Sequence, residues 1–268
     1  MKKRVAAVCV VCLCSFLFWG CQRPENEEEA ENLPELVIGL DGSYEPYTYM
    51  DENGEMAGID IELAEEACER MGRKPVFRAI KWDDKELELE KGEIDCIWSC
   101  YTMTGREGQY LWAGPYMYSR QVAVVRDDSE IQTLDDLTGR NVAVMSSTKP
   151  EGIFLDHEEP NIPIVDNVYC LENMELAFAA LQKNYVDATA GHEIVVQQYI
   201  DLTPGQYRIL DESLMSAEVG VAFYKQGDTA LADLLNSTLS EMKNDGTIGG
   251  ILKNYGIDSK NADGGGAF

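Results

Sequence analysis

Short apolar strands alternate with helices along the chain, and this alternation limits the fold more than any other feature. Strands are predicted at residues 36–40, 76–80 and 94–98. Helices are predicted at residues 60–71, where apolar residues recur every four positions, and at residues 85–91. Because strands linked by a helix lie parallel in one sheet, the pattern predicts an α/β protein. The alternation returns later, with strands predicted at 122–126, 141–145, 186–190 and 218–224 and helices at 172–183, 229–245 and 248–255.

Polar segments follow the ends of several predicted strands. They are residues 41–47, 99–107, 146–149 and 191–193. Ligands of α/β proteins bind in the crevice outside the carboxyl ends of the strands. We therefore expect these four segments to contribute to one ligand-binding site.

The segment SCYTMTGRE, residues 99–107, has the composition of a carboxylate-binding turn. The guanidinium of Arg106 offers a planar fork of donors that matches the two oxygens of a carboxylate. The hydroxyls of Thr102 and Thr104 can bond the remaining lone pairs. The alternative interpretation of an arginine beside threonines is a solvated turn.

Residues 1–21 have the composition of a secretion signal, with a basic start and an apolar stretch that is short for a membrane span. Its last two residues, Gly20 and Cys21, resemble a bacterial lipoprotein processing site. This resemblance makes Cys21 the predicted lipidated residue and leaves an uncleaved anchor or ordinary secretion as alternatives. Residues 22–35 are rich in glutamate and lack aromatic residues, so they are predicted to form a disordered acidic tether.

Charge and cysteine spacing exclude several classes of partner. The formal net charge of −26 argues against nucleic acid and against an anionic lipid surface. Four cysteines follow Cys21 at spacings that match no zinc pattern, so no metal is predicted. Buried free thiols are expected there, with one disulfide as the alternative outside the cytoplasm. The four are Cys68, Cys96, Cys100 and Cys170.

Five segments between residues 36 and 257 resemble one protein family in their order and spacing. The family is that of the extracytoplasmic solute-binding proteins for polar amino acids, which are receptors of ABC importers with the type II periplasmic-binding-protein fold. The segments are IGLDGSYEPYTYMDENGEMAGIDIELAEEA, GEIDCIWSCYTMTGRE, AGPYMYSRQVAVV, LTGRNVAVMSSTKPEG and NDGTIGGILKNYGI.

The resemblance implies two lobes, each a mixed sheet flanked by helices, which are joined by two hinge strands and close over a ligand. Lobe 1 would comprise residues 36–118 and 218–257, and lobe 2 would comprise residues 119–217. Residues 258–268 are predicted to form a disordered tail.

In lobe 1 the resemblance assigns residues of the segment 99–107 to the ligand's amino-acid group. Arg106 would hold the α-carboxylate, with Gly105 permitting a turn one residue shorter than the family pattern. Thr102 would add a hydroxyl and an amide, and Cys100 lies beside it in the site. Ser99 would offer its carbonyl oxygen to the α-ammonium, or would cap the end of the strand.

Three further residues of lobe 1 correspond to positions around the ligand's side chain. Tyr44 and Trp82 would enclose its stem, although both residue types are also common in a core. Asp41 would face a group of the side chain, or would serve as a turn residue. Asp60 is predicted to be structural, as the cap of the helix that starts there.

In lobe 2 the resemblance points to two segments that depart from the family pattern. Ser147, Thr148 and Lys149 would close on the carboxylate, with Lys149 either adding a charge to the site or pointing into solvent. His192 falls where the family usually has an aspartate that pairs with the ammonium, and a neutral imidazole supplies no countercharge. Either Glu193 takes that role or the ligand differs. The alternative for His192 is a helix cap.

The resemblance implies a monomeric, lipid-anchored, extracytoplasmic receptor that binds a small amino acid or related carboxylate and delivers it to an ABC permease. It implies no cofactor and no catalytic residue. One alternative is an enzyme on the same scaffold, such as a cyclohexadienyl-dehydratase-like protein, in which His192 and Glu193 would be the acid and base. The other is a sensor that docks onto a membrane signalling receptor.

Overall fold

The computed structural model describes residues 33–264, in which an eight-stranded mixed sheet and a small three-stranded sheet are flanked by helices. The strands are β1 (Glu35–Leu40), β2 (Ser43–Tyr44), β3 (Thr48–Met50), β4 (Met56–Ala57), β5 (Lys74–Ala79), β6 (Cys96–Thr102), β7 (Leu111–Arg126), β8 (Asn141–Met145), β9 (Asn167–Leu171), β10 (Ala188–His192) and β11 (Tyr207–Phe223). The helices are α1 (Ile59–Met71), α2 (Lys85–Glu90), α3 (Lys149–Leu155), α4 (Met174–Gln182), α5 (Glu193–Leu202), α6 (Thr229–Asn244) and α7 (Thr247–Asn254). Short 3₁₀ turns occupy Trp82–Asp84, Asp135–Leu137 and Ser259–Ala262.

The large sheet has the strand order β5-β1-β6-β11-β7-β10-β8-β9. Strand β1 lies parallel to β5 and β6, which together form the first strand group. Strand β8 lies parallel to β9 and β10, which together form the second strand group. The long antiparallel strands β7 and β11 pair with each other between the groups. This arrangement confirms the predicted α/β fold with parallel strands in both halves.

Helix α1 shows how the sequence pattern produces the packing. Ile59, Leu63 and Ala67, spaced four residues apart, have no exposed surface and belong to the main core, which also contains apolar residues of β1 and β6. Full burial of an aliphatic side chain such as Leu63 stabilises the fold by about 1.5–3 kcal/mol. The helix ends at Gly72, whose φ of 64° lies in the left-handed region that favours glycine.

Several predicted elements have different bounds in the structure. The strand predicted at 94–98 is β6 and continues to Thr102, and the strand predicted at 186–190 is β10 and continues to His192. Both continue because they pair with long neighbouring strands, β11 and β7. The sequence patterns missed α3, β9 and α5. The first part of the segment predicted as a disordered tail is ordered, since Ala262 is buried in the 3₁₀ turn that follows Asp258.

Among the described residues, no helix is both long and apolar enough to cross a membrane. The predicted signal at 1–21, its lipidation site Cys21, the tether up to residue 32 and the last four residues of the tail lie outside the described part of the chain. Among the described residues no disulfide forms, and the cysteines at 68, 96 and 100 are buried free thiols, as predicted, whereas Cys170 is exposed.

Candidate functional site

One cavity lies where the carboxyl ends of β1, β6, β8 and β10 approach each other. The polar segments that follow the strands in the sequence predicted a site at this edge. Eleven of the twelve ligand-binding residues predicted from the sequence line it. They are Asp41, Tyr44, Trp82, Ser99, Cys100, Thr102, Arg106, Ser147, Thr148, Lys149 and His192. Residues that the sequence did not single out also line it, namely Tyr101, Gln121, Met145, Pro150, Met174, Ala190 and Gly191.

Arg106 brings a positive charge to the cavity wall. Its Nη1 donates to the carbonyl of Thr102 over 3.3 Å, and its guanidinium carbon lies 4.9 Å from the ring centroid of Tyr101. Within residues 33–264, no carboxylate lies at ion-pair distance from this guanidinium. The short turn before it is possible because Gly105 has a φ of 78°. The guanidinium therefore keeps donors for an anion.

Hydrogen bonds join the two sides of the cavity. The Thr102 hydroxyl on the first group lies 3.1 Å from Nε2 of His192 on the second. The hydroxyl of Ser147, which follows β8, donates to Oδ1 of Asp83 over 2.7 Å. Ser147 has a φ of 56°, which lies in the left-handed region that non-glycine residues adopt only rarely. Both sides of the cavity are therefore in direct contact.

His192 is an uncharged residue of the cavity. Burial, followed by the nearby positive charge of Arg106, lowers the pKa of His192 to about 3. Its Nε2 faces Thr102, and its Nδ1 has no hydrogen-bond partner within residues 33–264. His192 does precede α5, but its ring makes no capping bond to that helix. The ring thus faces the cavity.

Asp41 and Ser99 are linked at the end of β1. The backbone amide of Asp41 donates to the Ser99 hydroxyl over 3.1 Å, and Oδ1 of Asp41 accepts from the amide and hydroxyl of Ser43, each over 2.8 Å. The Ser99 hydroxyl also lies 2.8 Å from that of Thr48. Burial raises the pKa of Asp41. Ser99 lies inside β6, and its hydroxyl accepts from the first backbone amide after the end of β1.

Tyr44 and Trp82 form aromatic walls of the cavity. Tyr44 is buried and stacks on Tyr47 with 6.2 Å between ring centroids. Trp82 is half-buried, packs edge-on against Tyr101 at 5.7 Å and lies under the ammonium of Lys85 at 4.9 Å. Both rings thus touch the core and the cavity at once.

Lys149 and Glu193 are both held by ion pairs. Lys149 is buried at the cavity wall, and its Nζ bonds Glu158 over 2.5 Å, so it does not point into solvent. Glu193 does not line the cavity. Its two carboxylate oxygens accept from Arg120 over 2.5 and 2.8 Å, which engages the charge elsewhere. The structure therefore does not bring Glu193 to the position of an ammonium countercharge.

The prediction that Asp60 caps helix α1 is wrong. The residue before the helix is Gly58, and no side chain caps it. The Asp60 carboxylate instead accepts from the amide of Cys100 over 2.6 Å and from the hydroxyl of Tyr116 over 2.8 Å. Cys100 has a φ of 46° at an irregularity of β6. Asp60 thereby fixes the strand that carries Ser99 and Thr102, and burial raises its pKa to about 7.

The cavity has the features of a small-molecule site with a carboxylate anchor. It combines aromatic walls, an unpaired guanidinium and hydroxyls from both strand groups. Across residues 33–264, no group of three or more histidine, cysteine or acidic side chains is arranged to hold a metal ion.

Comparison with known proteins identifies the class. The profile of the bacterial extracellular solute-binding proteins, family 3, matches residues 36–258. The histidine-binding periplasmic protein of Escherichia coli is 30% identical over 230 residues, which cover 82% of this chain and 86% of that protein. The L-cystine-binding protein TcyA of Bacillus subtilis is 26% identical over 222 residues, covering 82% and 80%.

A solved structure supports the same conclusion. The substrate-binding protein of an ABC uptake transporter from Streptococcus pneumoniae, with bound histidine, superimposes with a TM-score of 0.78 at 26% identity and covers 88% of this chain and 97% of that one. The chain belongs to the bacterial extracellular solute-binding proteins, family 3. It is a solute-binding protein of amino-acid transport and not an enzyme, which confirms the sequence prediction.

Proposed function

We propose that this protein is a receptor that binds one L-amino acid in the cavity and delivers it to an ABC permease. Arg106 is the observation that carries the proposal. A half-buried guanidinium without a carboxylate partner among residues 33–264 is suited to bind an anion. The relatives named above bind histidine and cystine, which share an α-carboxylate and an α-ammonium.

The α-carboxylate would lie between Arg106 and the loop of Ser147 and Thr148. Arg106 belongs to the first side of the cavity and Thr148 to the second, so a ligand that contacts both favours their approach. The residues 36–118 and 218–257 would move against residues 119–217 about strands β7 and β11. The ligand stem would lie between the rings of Tyr44 and Trp82.

The experiment is a thermal-shift screen of residues 22–268, unfolded and refolded to remove carried-over ligand. The panel contains the twenty L-amino acids, L-cystine and carboxylates that lack an ammonium group. A compound at a thousand times its dissociation constant stabilises the fold by about 4 kcal/mol, a rise in Tm of several degrees. A shift with one or a few L-amino acids supports the proposal, and no shift with any amino acid contradicts it.

We also propose that lipid on Cys21 holds the receptor at the outer face of the cell membrane. The support is the Gly20-Cys21 sequence after the apolar stretch, together with the acidic segment 22–35 as a spacer. In bacteria expressing the full chain, the protein should fractionate with membranes, and Cys21→Ser should release it. Matched Cys170→Ser should stay with the membranes. Equal fractionation of wild type and Cys21→Ser would contradict lipidation.

A further inference from the structure

Among residues 33–264, three buried polar side-chain atoms without hydrogen-bond partners belong to residues that line the cavity. One is a donor, Nε1 of Trp82, and the other two are Oε1 of Gln121 and Nδ1 of His192. Gln121 and His192 are only 1% and 4% exposed, so bulk water does not solvate their side chains. Most buried polar side-chain atoms in folded proteins have a hydrogen-bond partner, so these exceptions at one cavity point to a group that binds there.

The strand register places these two side chains next to each other. Gln121 on β7 is the direct partner of His192 on β10 in the antiparallel ladder. Directly opposed residues project to the same face of a sheet, with Cβ atoms about 4.5–5.5 Å apart. Both residues line the cavity that contains Arg106. Gln121 Oε1 and His192 Nδ1 therefore belong to neighbouring side chains of the cavity in which Arg106 would hold the ligand.

The chemistry of the pair favours a ligand donor. An amide Oε1 accepts hydrogen bonds and cannot donate them. When Nε2 of His192 carries its proton toward the hydroxyl of Thr102, Nδ1 is an acceptor as well. Neither group has a formal charge, and the carboxylate of the neighbouring Glu193 is engaged by Arg120.

We propose that Gln121 and His192 form an uncharged acceptor subsite for the α-ammonium of the ligand, and that Gln121 determines how strongly the receptor prefers amino acids to 2-hydroxy acids. This proposal rests on the proposed function. An ammonium has three N–H donors and can bond both acceptors, whereas a hydroxyl has a single donor and can bond only one. Loss of Gln121 Oε1 therefore penalises the amino acid and largely spares the hydroxy acid.

The test uses titration calorimetry with matched probes on the refolded protein, residues 22–268. The probes are L-histidine, L-arginine and L-glutamine, each paired with its 2-hydroxy analogue. In Gln121→Leu the amino acids should bind about tenfold to hundredfold more weakly, and the hydroxy acids should change by less than about threefold. Gln121→Glu, which keeps an acceptor, should restore binding of the amino acids.

The control is Gln197→Leu, because Gln197 lies on α5 outside the cavity and bonds Asp201. Its affinities should equal those of the wild type. Gln121→Leu replaces an unpartnered polar group by an apolar one of similar size, so its Tm without probe should not fall.

The outcomes separate the two proposals. If the wild type binds none of the three amino acids, the proposed function fails for them and the subsite fails with it. If the wild type binds an amino acid and Gln121→Leu weakens both members of that pair equally or neither, the subsite alone is refuted. A larger loss for the amino acid, restored in Gln121→Glu, supports the subsite.

Discussion

Arg106→Ala tests the carboxylate anchor. From the structure we expect this variant to lose ligand affinity and to remain folded. In the folded protein the side chain donates to the carbonyl of Thr102 over 3.3 Å and stacks on Tyr101 at 4.9 Å. Such a contact with an aromatic ring contributes about 0.5–1 kcal/mol, and a net hydrogen bond about 0.5–1.5 kcal/mol. The free energy of unfolding should therefore fall by roughly 1–2.5 kcal/mol, which leaves the fold intact.

The expected loss of binding is much larger. A guanidinium that grips a carboxylate with two charge-assisted hydrogen bonds contributes about 1.5–3 kcal/mol through each of them. Removal of both should cost about 3–6 kcal/mol, an increase in Kd of roughly a hundredfold to ten-thousandfold. Arg106→Lys keeps the charge and loses the fork, so its Kd should lie between those of the wild type and Arg106→Ala.

Titration calorimetry with the amino acid that gives the largest thermal shift measures these losses. Arg140→Ala is the matched control, because Arg140 is exposed, contacts the carbonyl of Asp136 and does not line the cavity. Its Kd should equal that of the wild type. An Arg106→Ala variant that remains folded and binds the amino acid within threefold of the wild type would refute the assignment of Arg106.

Four further predictions concern the frame and charge of the site. Burial raises the pKa of Asp60 to about 7. Between about pH 4 and pH 7 the native state therefore keeps a proton that the unfolded state loses, and the free energy of unfolding should fall as the pH rises through this range. Asp60→Asn should flatten this dependence in urea unfolding curves. Ser147→Ala removes the bond to Asp83, and calorimetry should show a Kd about fivefold higher, as expected for about 1 kcal/mol. The pKa of His192 is lowered to about 3, so its ring stays neutral and amino-acid Kd values should show no step near pH 6.5 between pH 5.5 and 8. Because the pKa of His192 is lower in the native state than in the unfolded state, the unfolded state binds the proton first as the pH drops. The free energy of unfolding should therefore fall between about pH 6.5 and pH 3.

Much of the site was predictable because its residues follow strand ends. Asp41 follows β1 directly and Ser147 comes soon after β8, and strands that run parallel bring such positions to one edge. Arg106 was predictable from residue type, since a guanidinium among hydroxyls is suited to a carboxylate. Gln121 carried no such signal. It lies within β7. The sequence shows a glutamine beside an apolar run, but it does not show that this side chain lines a cavity.

The sequence by itself determined the α/β class, the four-residue period of α1 and the polar segments that face the cavity, because these depend on neighbours within a few residues. The tertiary structure alone decided the partners. His192 meets Thr102 across 90 positions, Asp60 holds the amide of Cys100 rather than its own helix, and Glu193 turns to Arg120. Local periodicity determines which face of an element is buried. The partner of a polar group on that face depends on how distant strands are ordered and registered, and this is decided only when the sheet assembles.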